Sequence, residues 1–202
     1  MGKVITVTRE FGSMGRLIAR LVAEKLNFNY YDRDIIELAA KEFRGSIDEL
    51  SGFEDKKLSI FGKMMYPLGL GSAAMQNKVY EMEKSVILDL ARTEDCIIVG
   101  RCSDHLLRSC GHKEEDLLNI FIYAPYEARL LSCKNELNLD EAQAKKYIEG
   151  VDKARSEFYK LNTGESFYSN KYRHLMLDSS MVARDILVDT ITSIAREKFQ
   201  LN

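Results

Sequence analysis

Short apolar runs alternate along this chain with longer stretches in which apolar positions recur every three or four residues. Residues 3–8 carry Val4, Ile5 and Val7 among threonines, which predicts a short buried strand. Residues 17–26 place Leu17, Ile18, Leu21, Val22 and Leu26 at helical spacing. A second strand is predicted over 28–31, and Asp32 is placed to cap a helix over 33–43. A long helix follows over 76–92, with Val79, Met82, Val86, Ile87 and Leu90 on one face. Strands are predicted over 95–99, 118–124 and 174–178. Helices are predicted over 103–109, 126–137, 140–161 and 181–199, the third opened by Asp140 with acidic residues in its first turn. Strands alternating with helices predict an α/β fold, a parallel sheet covered on both faces. Ligands of such sheets lie beyond the carboxyl ends of the strands. Here those ends fall at 12–16, 31–32, 100–101, 124 and 178.

Residues 44–75 break the rhythm. Gly45, Gly52, Gly62, Gly69 and Gly71 are interleaved with Met64, Met65, Tyr66, Pro67 and Met75. This reads as two short helices and an apolar, glycine-punctuated connection, either a cover over the core or a lip over a substrate site. Its methionine-rich part, 60–75, would serve an interface between two copies of the chain equally well.

Composition narrows the class. The 202 residues fit one domain, with 46% hydrophobic and 30% charged residues and a formal net charge of -2. That balance gives no bulk attraction to nucleic acid or to an anionic membrane. No stretch of 18 apolar residues marks a membrane span, and the start of the chain has no charged leader with an apolar region behind it. Cys96, Cys102, Cys110 and Cys133 form no C-x-x-C pair, and His105, His112 and His174 do not stand at ligand spacing to them. A cytoplasmic protein with reduced thiols is the expectation.

The chemistry concentrates in the first turn. Arg9, Gly12, Ser13, Met14, Gly15 and Arg16 lie between a strand and a helix, the arrangement in which glycines and helix N–H groups cradle a phosphate. Against the phosphate-loop pattern G-x-x-x-x-G-K-[ST], Gly15 takes the second glycine. Glu10 then falls on the first glycine, Arg16 on the lysine and Leu17 on the hydroxyl residue. Further along, Arg101 follows a strand directly, where a planar guanidinium suits a phosphate; its alternative is a surface pair with Asp104. Asp152 and Arg155 share a helix face near Lys145, Lys146 and Lys153, either as a solvated ion pair or as part of a basic lid. Arg129 opposes the dipole in the first turn of its helix, so a phosphate or a carboxylate partner is expected. Asp32, Asp34 and Asp178 stand after strands as caps or ligands.

The segments 5–16, 30–32, 97–101, 120–125 with Arg129, and 151–155 with Phe158 and Tyr159 resemble, in this order, the cytidylate kinase-like family of P-loop proteins. The resemblance spans residues 3–180 and extends more distantly to true cytidylate kinases. It implies a three-layer P-loop NTPase fold of the nucleoside monophosphate kinase type. A five-stranded parallel sheet would carry a helical substrate-binding insertion at about 33–92 and a lid at about 138–170.

The same resemblance implies ATP and Mg2+ as cosubstrate and cofactor. Gly12, Ser13, Gly15 and Arg16 would hold the donor phosphates, Asp32 and Arg101 would face the acceptor, and Arg129, Lys153 and Arg155 would surround the transferred group. It also implies a nucleotide or another phosphorylated small molecule as partner. The chain departs from the family pattern at Met14 (a glycine position), at Arg16 and Leu17, and at Arg173-His174 (a Tyr-Asp pair). Two alternatives therefore stand beside phosphoryl transfer to a nucleoside monophosphate such as CMP. One is a nucleotide-binding regulator without turnover, the other a kinase of a non-nucleotide metabolite.

Overall fold

In the computed structural model, which describes residues 1–32 and 73–201, five strands form one parallel sheet. They are β1 (Val4–Arg9), β2 (Asn29–Tyr31), β3 (Cys96–Val99), β4 (Leu117–Tyr123) and β5 (Leu175–Asp178), in the spatial order β2-β3-β1-β4-β5. Among the described residues six α-helices accompany them: α1 (Gly15–Leu26), α2 (Ala73–Thr93), α3 (Ser103–Ser109), α4 (Tyr126–Leu137), α5 (Glu141–Thr163) and α6 (Arg184–Phe199). The expected helix over 33–43 and nearly all of the glycine-rich segment 44–75 lie outside the described residues. Elsewhere every expected element is present. The largest shifts are three residues: α2 begins at Ala73 rather than 76, and α6 begins at Arg184 rather than 181 because residues 178–180 form a turn, the Asp178 carboxylate accepting from the N–H and hydroxyl of Ser180 at 2.8 and 2.7 Å.

Alternation within each strand explains the layers. Ile5 and Val7, Ile97 and Val99, and Leu118, Ile120 and Ile122 point to one face, where α1 and α6 cover them with Ile18, Val22, Leu187, Val188, Ile191 and Phe199. Val4, Cys96, Ile98 and Leu117 point to the other face and meet Ile87, Ala91, Leu106 and Leu107 of α2 and α3. With both faces buried, the strands read as nearly continuous apolar runs. Polar interruptions are satisfied in place: Thr6 and Asn119 are paired in register, and the Thr6 hydroxyl donates to Asn119 Oδ1 at 2.6 Å.

The central strand β1 has β3 on one side and β4 on the other, in register from Val4. The carboxyl ends of β1, β2 and β3 therefore open at one edge. The loop from β1 into α1 crosses that edge. Beside it, α4 and α5 pack together around Phe11, Leu130, Cys133, Ala144, Ile148 and Val151.

Candidate functional site

A cavity of about 650 Å3 lies at that edge. Its walls include Arg9 to Gly12 and Met14 to Leu17 of the first loop, Asp32 after β2, Val99 to Cys102 after β3, and Arg155, Phe158 and Tyr159 of α5. The loop is shaped by its glycines. Gly12 has φ +78°, and a Cβ there would stand 2.9 Å from the Arg129 carbonyl and 3.0 Å from Cys133 Sγ. At Gly15 a Cβ would stand 2.7 Å from Arg9 Cβ, so α1 can start only against the stem of Arg9. Met14, at the family's glycine position, takes the left-handed φ of 59° and lines the cavity.

The start of α1 is prepared for an anion. No side chain caps it and no acidic residue occupies its first turn, so its N–H groups and the positive end of its dipole face the cavity region. Arg9, Arg16 and Arg155 line the cavity, as do Arg20 and Arg101. Among the described residues no hydrogen bond or salt bridge holds the guanidinium of Arg9, which lies close over Gly100. Burial and then the Arg155 charge, with a lesser push from Arg16, pull Arg9 well below its usual range, against partial support from Tyr30 and Asp32. Arg155 donates to the Arg9 carbonyl at 3.1 Å, and Arg16, half exposed, forms an ion pair with the buried Asp32.

Four expected site residues take other roles than facing the cavity directly, or face it already engaged. Ser13 is fully buried, and its hydroxyl donates to the carbonyls of Glu10 and Ile122 at 3.0 and 3.1 Å. Arg129 pairs with the Asp152 and Glu10 carboxylates, the second of the two partners its helix position calls for. Lys153 is solvent-exposed, 3.9 Å from Glu157. Arg101 does line the cavity, but its guanidinium forms a buried pair with Glu83 at 2.7 Å rather than with Asp104, and stacks 5.5 Å above the Phe158 ring. Asp34 lies outside the described residues.

Gly100, Arg101 and Cys102 have φ values of 86°, 57° and 53°, so the chain leaves β3 through three consecutive left-handed residues. Such strain in non-glycine residues persists only where the surroundings enforce it. Beneath this turn, the buried Asp104 accepts from the Tyr159 hydroxyl at 3.1 Å and from Thr8 at 3.4 Å, and lies 3.8 Å from Arg173. Arg173 in turn sits 4.0 Å over the Phe121 ring. Glu83, Asp104 and Arg173 were not expected at the site. Asp104 carried a signal in its position three residues after Arg101, and Arg173 in its departure from the family's Tyr-Asp pair; Glu83 carried none.

Mg2+ bound with phosphates commonly needs one or two protein carboxylates. Leu17 supplies no hydroxyl, and among the described residues no three metal-ligating side chains cluster. Asp32 is the carboxylate after β2 that lines the cavity. The residues thus fit a polyphosphate well and a magnesium ion through Asp32 and the phosphates themselves.

A parallel sheet of order 2-3-1-4-5, with a glycine turn running from its central strand into an uncapped helix, defines a P-loop protein of the kinase-like type. The model of the cytidylate kinase-like family matches residues 4–181, and the chain belongs to that family. A comparison with curated proteins found no match. Among solved structures, the chain is similar to an uncharacterized protein from Eubacterium ventriosum, with TM-score 0.71, 18% identity, and 95% of this chain and 97% of that one covered. It is also similar to a shikimate kinase from Acinetobacter baumannii in complex with shikimate (TM-score 0.53, 13% identity, 98% and 94% covered). A sugar kinase from a Janibacter species gives TM-score 0.53 at 12% identity, with 100% and 96% covered. At these identities the likeness establishes the fold. No described helix is long and apolar enough to cross a membrane.

Proposed function

We propose that this protein transfers a phosphoryl group from ATP to a small acceptor, with a nucleoside monophosphate such as CMP as the first candidate. One observation carries the reading: Arg9, Arg16 and Arg155 share a cavity with the uncapped start of α1, and the Arg9 guanidinium has no counter-ion among the described residues. A desolvated guanidinium such as that of Arg9, with the charges of Arg155 and the half-exposed Arg16 beside it, is costly unless an anion arrives. A polyphosphate lying across Gly12 to Arg16 would receive the α1 amides at one end and the guanidinium groups at the other. Catalysis would then come from placement and charge stabilisation, with no covalent enzyme intermediate.

In this reading Arg9 and Arg155 meet the transferred group. Arg16 meets the donor phosphates and exchanges its Asp32 partner for them. Asp32, once released, would hold Mg2+, which when bound supplies charge neutralisation to the phosphates. Arg101, set against Glu83 and Phe158, shapes the acceptor side, and Lys153 attracts anions from the rim. The family name supports a phosphotransferase, as do the shikimate and sugar kinases among the fold's neighbours. The α5 region would serve as lid, residues 33–92 as the acceptor-binding insertion, and the cytoplasm as the place of work.

ADP release with ATP, magnesium and a panel of CMP, dCMP, UMP, AMP, GMP and hydroxylated metabolites tests the proposal. Turnover with one acceptor is expected. Absence of ADP with every member, from protein that is folded, overturns it. A second reading, a nucleotide-binding regulator, is favoured by Leu17 in the metal-hydroxyl position and by the Arg16–Asp32 pair. It predicts saturable ATP binding by calorimetry without ADP formation.

A further inference from the structure

Two groups behind the loop are tied to its backbone without lining the cavity. The Phe11 N–H donates to Asp152 Oδ1 at 2.7 Å, and Arg129 Nη1 donates to the Phe11 carbonyl at 3.3 Å. Asp152 and Arg129 are ion-paired with each other, and both are buried. Both backbone polar groups of Phe11 are therefore satisfied from behind by one buried pair. Arg129 Nε also lies 3.6 Å from Glu10, whose carboxylate accepts from the Ala124 N–H at 3.2 Å. Glu10 and Phe11 are the first two residues of the phosphate loop, and the next, Gly12, is packed against the backbone of Arg129 itself.

The same helix reaches the front of the loop. Arg155 stands one turn after Asp152 on α5, donates to the Arg9 carbonyl and lines the cavity. One turn of α5 thus delivers a carboxylate to the back of the loop and a guanidinium to its front. A buried ion pair is by itself weak evidence for stability, because apolar residues of similar volume commonly serve as well. The backbone contacts of this pair are what an apolar replacement would lose.

We propose that Asp152 and Arg129 are positioning residues: their ion pair latches the phosphate loop to α5, so that loop shape and Arg155 placement are set together. The effect on ATP rests on the function proposed above, whereas the latch itself is readable without nucleotide. The test is the double variant Arg129→Met/Asp152→Leu, which removes both charges together and leaves neither buried alone. A folded double variant should show a KM for ATP raised on the order of tenfold, with kcat changed much less, since misplaced loop amides weaken donor binding. In the ligand-free protein, amide exchange at Phe11 should accelerate by a similar factor, on the order of tenfold, once its acceptor is gone. Unchanged KM and unchanged Phe11 exchange in a folded double variant overturn the proposal.

Should the double variant not fold, Asp152→Asn replaces it. Asparagine keeps an oxygen for Phe11 but loses the charge facing Arg129. Faster Phe11 exchange and raised KM support the latch, and wild-type values for both refute it. If the wild-type protein turns over no ATP, the functional reading falls alone, and Phe11 exchange in the variants still decides the latch.

Discussion

At Arg9 a single side chain carries opposing consequences for stability and for binding. Its guanidinium is desolvated and repelled by Arg155 and Arg16, so the ligand-free fold tolerates its charge at a cost. Arg9→Met should raise the melting temperature of the ligand-free protein and shrink the further rise that the proposed function predicts for ATP, because a ligand bound only by the native state stabilises by mass action. Thermal unfolding with and without ATP reads both effects, and a variant that is less stable without ligand yet keeps the full ATP shift contradicts this role. Gly12 makes a separate case. An alanine there must adopt φ +78° and set its Cβ 2.9 Å from the Arg129 carbonyl, which is backbone and yields little. Gly12→Ala should cost about 1–3 kcal/mol in denaturant unfolding. A loss below a few tenths of a kcal/mol would mean the loop is not held against α4 as described.

Among the elements, α5 connects the most parts of the site, and its start can be tested alone. Asp140 accepts from the Gln143 N–H at 2.8 Å while the Gln143 side chain accepts from the Asp140 N–H at 3.2 Å, a complete capping box in an exposed position. Asp140→Ala should lower stability by about 1 kcal/mol. Urea unfolding measures it, and no change would show that packing against Phe11 and Leu130 alone holds the helix. This cap was legible in the sequence, as were all five strands, because local pattern specifies both. The loop residues that line the cavity were legible too, since strand, glycines and helix are adjacent in the chain. Partners far apart in sequence were not. Nothing local marks Glu83 as the counter-ion of Arg101, because helical spacing says which face Glu83 occupies and not which strand end it meets. Arg129 shows the boundary between the two cases. Its unfavourable dipole position announced a negative partner, but only the packing of α4 on α5 identified that partner as Asp152 instead of a bound phosphate.

Across the whole molecule, a net charge of -2 coexists with a cavity lined by several arginines, so the positive charge there is local and depends on the fold being intact. Stability can be varied without touching that site. His112 lies at the opposite end of the sheet, near Gly2 and Asp116, buried, with its backbone N–H donating to the Leu107 carbonyl at 2.9 Å. Burial lowers its pKa from the ordinary 6.5, and the contacts with Asp116 and Gly2 only partly offset this. The folded state therefore binds fewer protons here than the unfolded chain does. Stability contributed by the neutral ring is complete above about pH 6.5, declines as pH falls from that value to the lower folded pKa, and levels off below it. His112→Gln has no such proton to take up. Between about pH 7.5 and pH 5.5 the wild type should lose more of its melting temperature than the variant does. Parallel curves over that interval would show that the imidazole is solvated in both states. If the proposed ATP site is formed, ATP should raise the melting temperature at both ends of the interval, which separates the titration of the fold from the occupancy of its cavity.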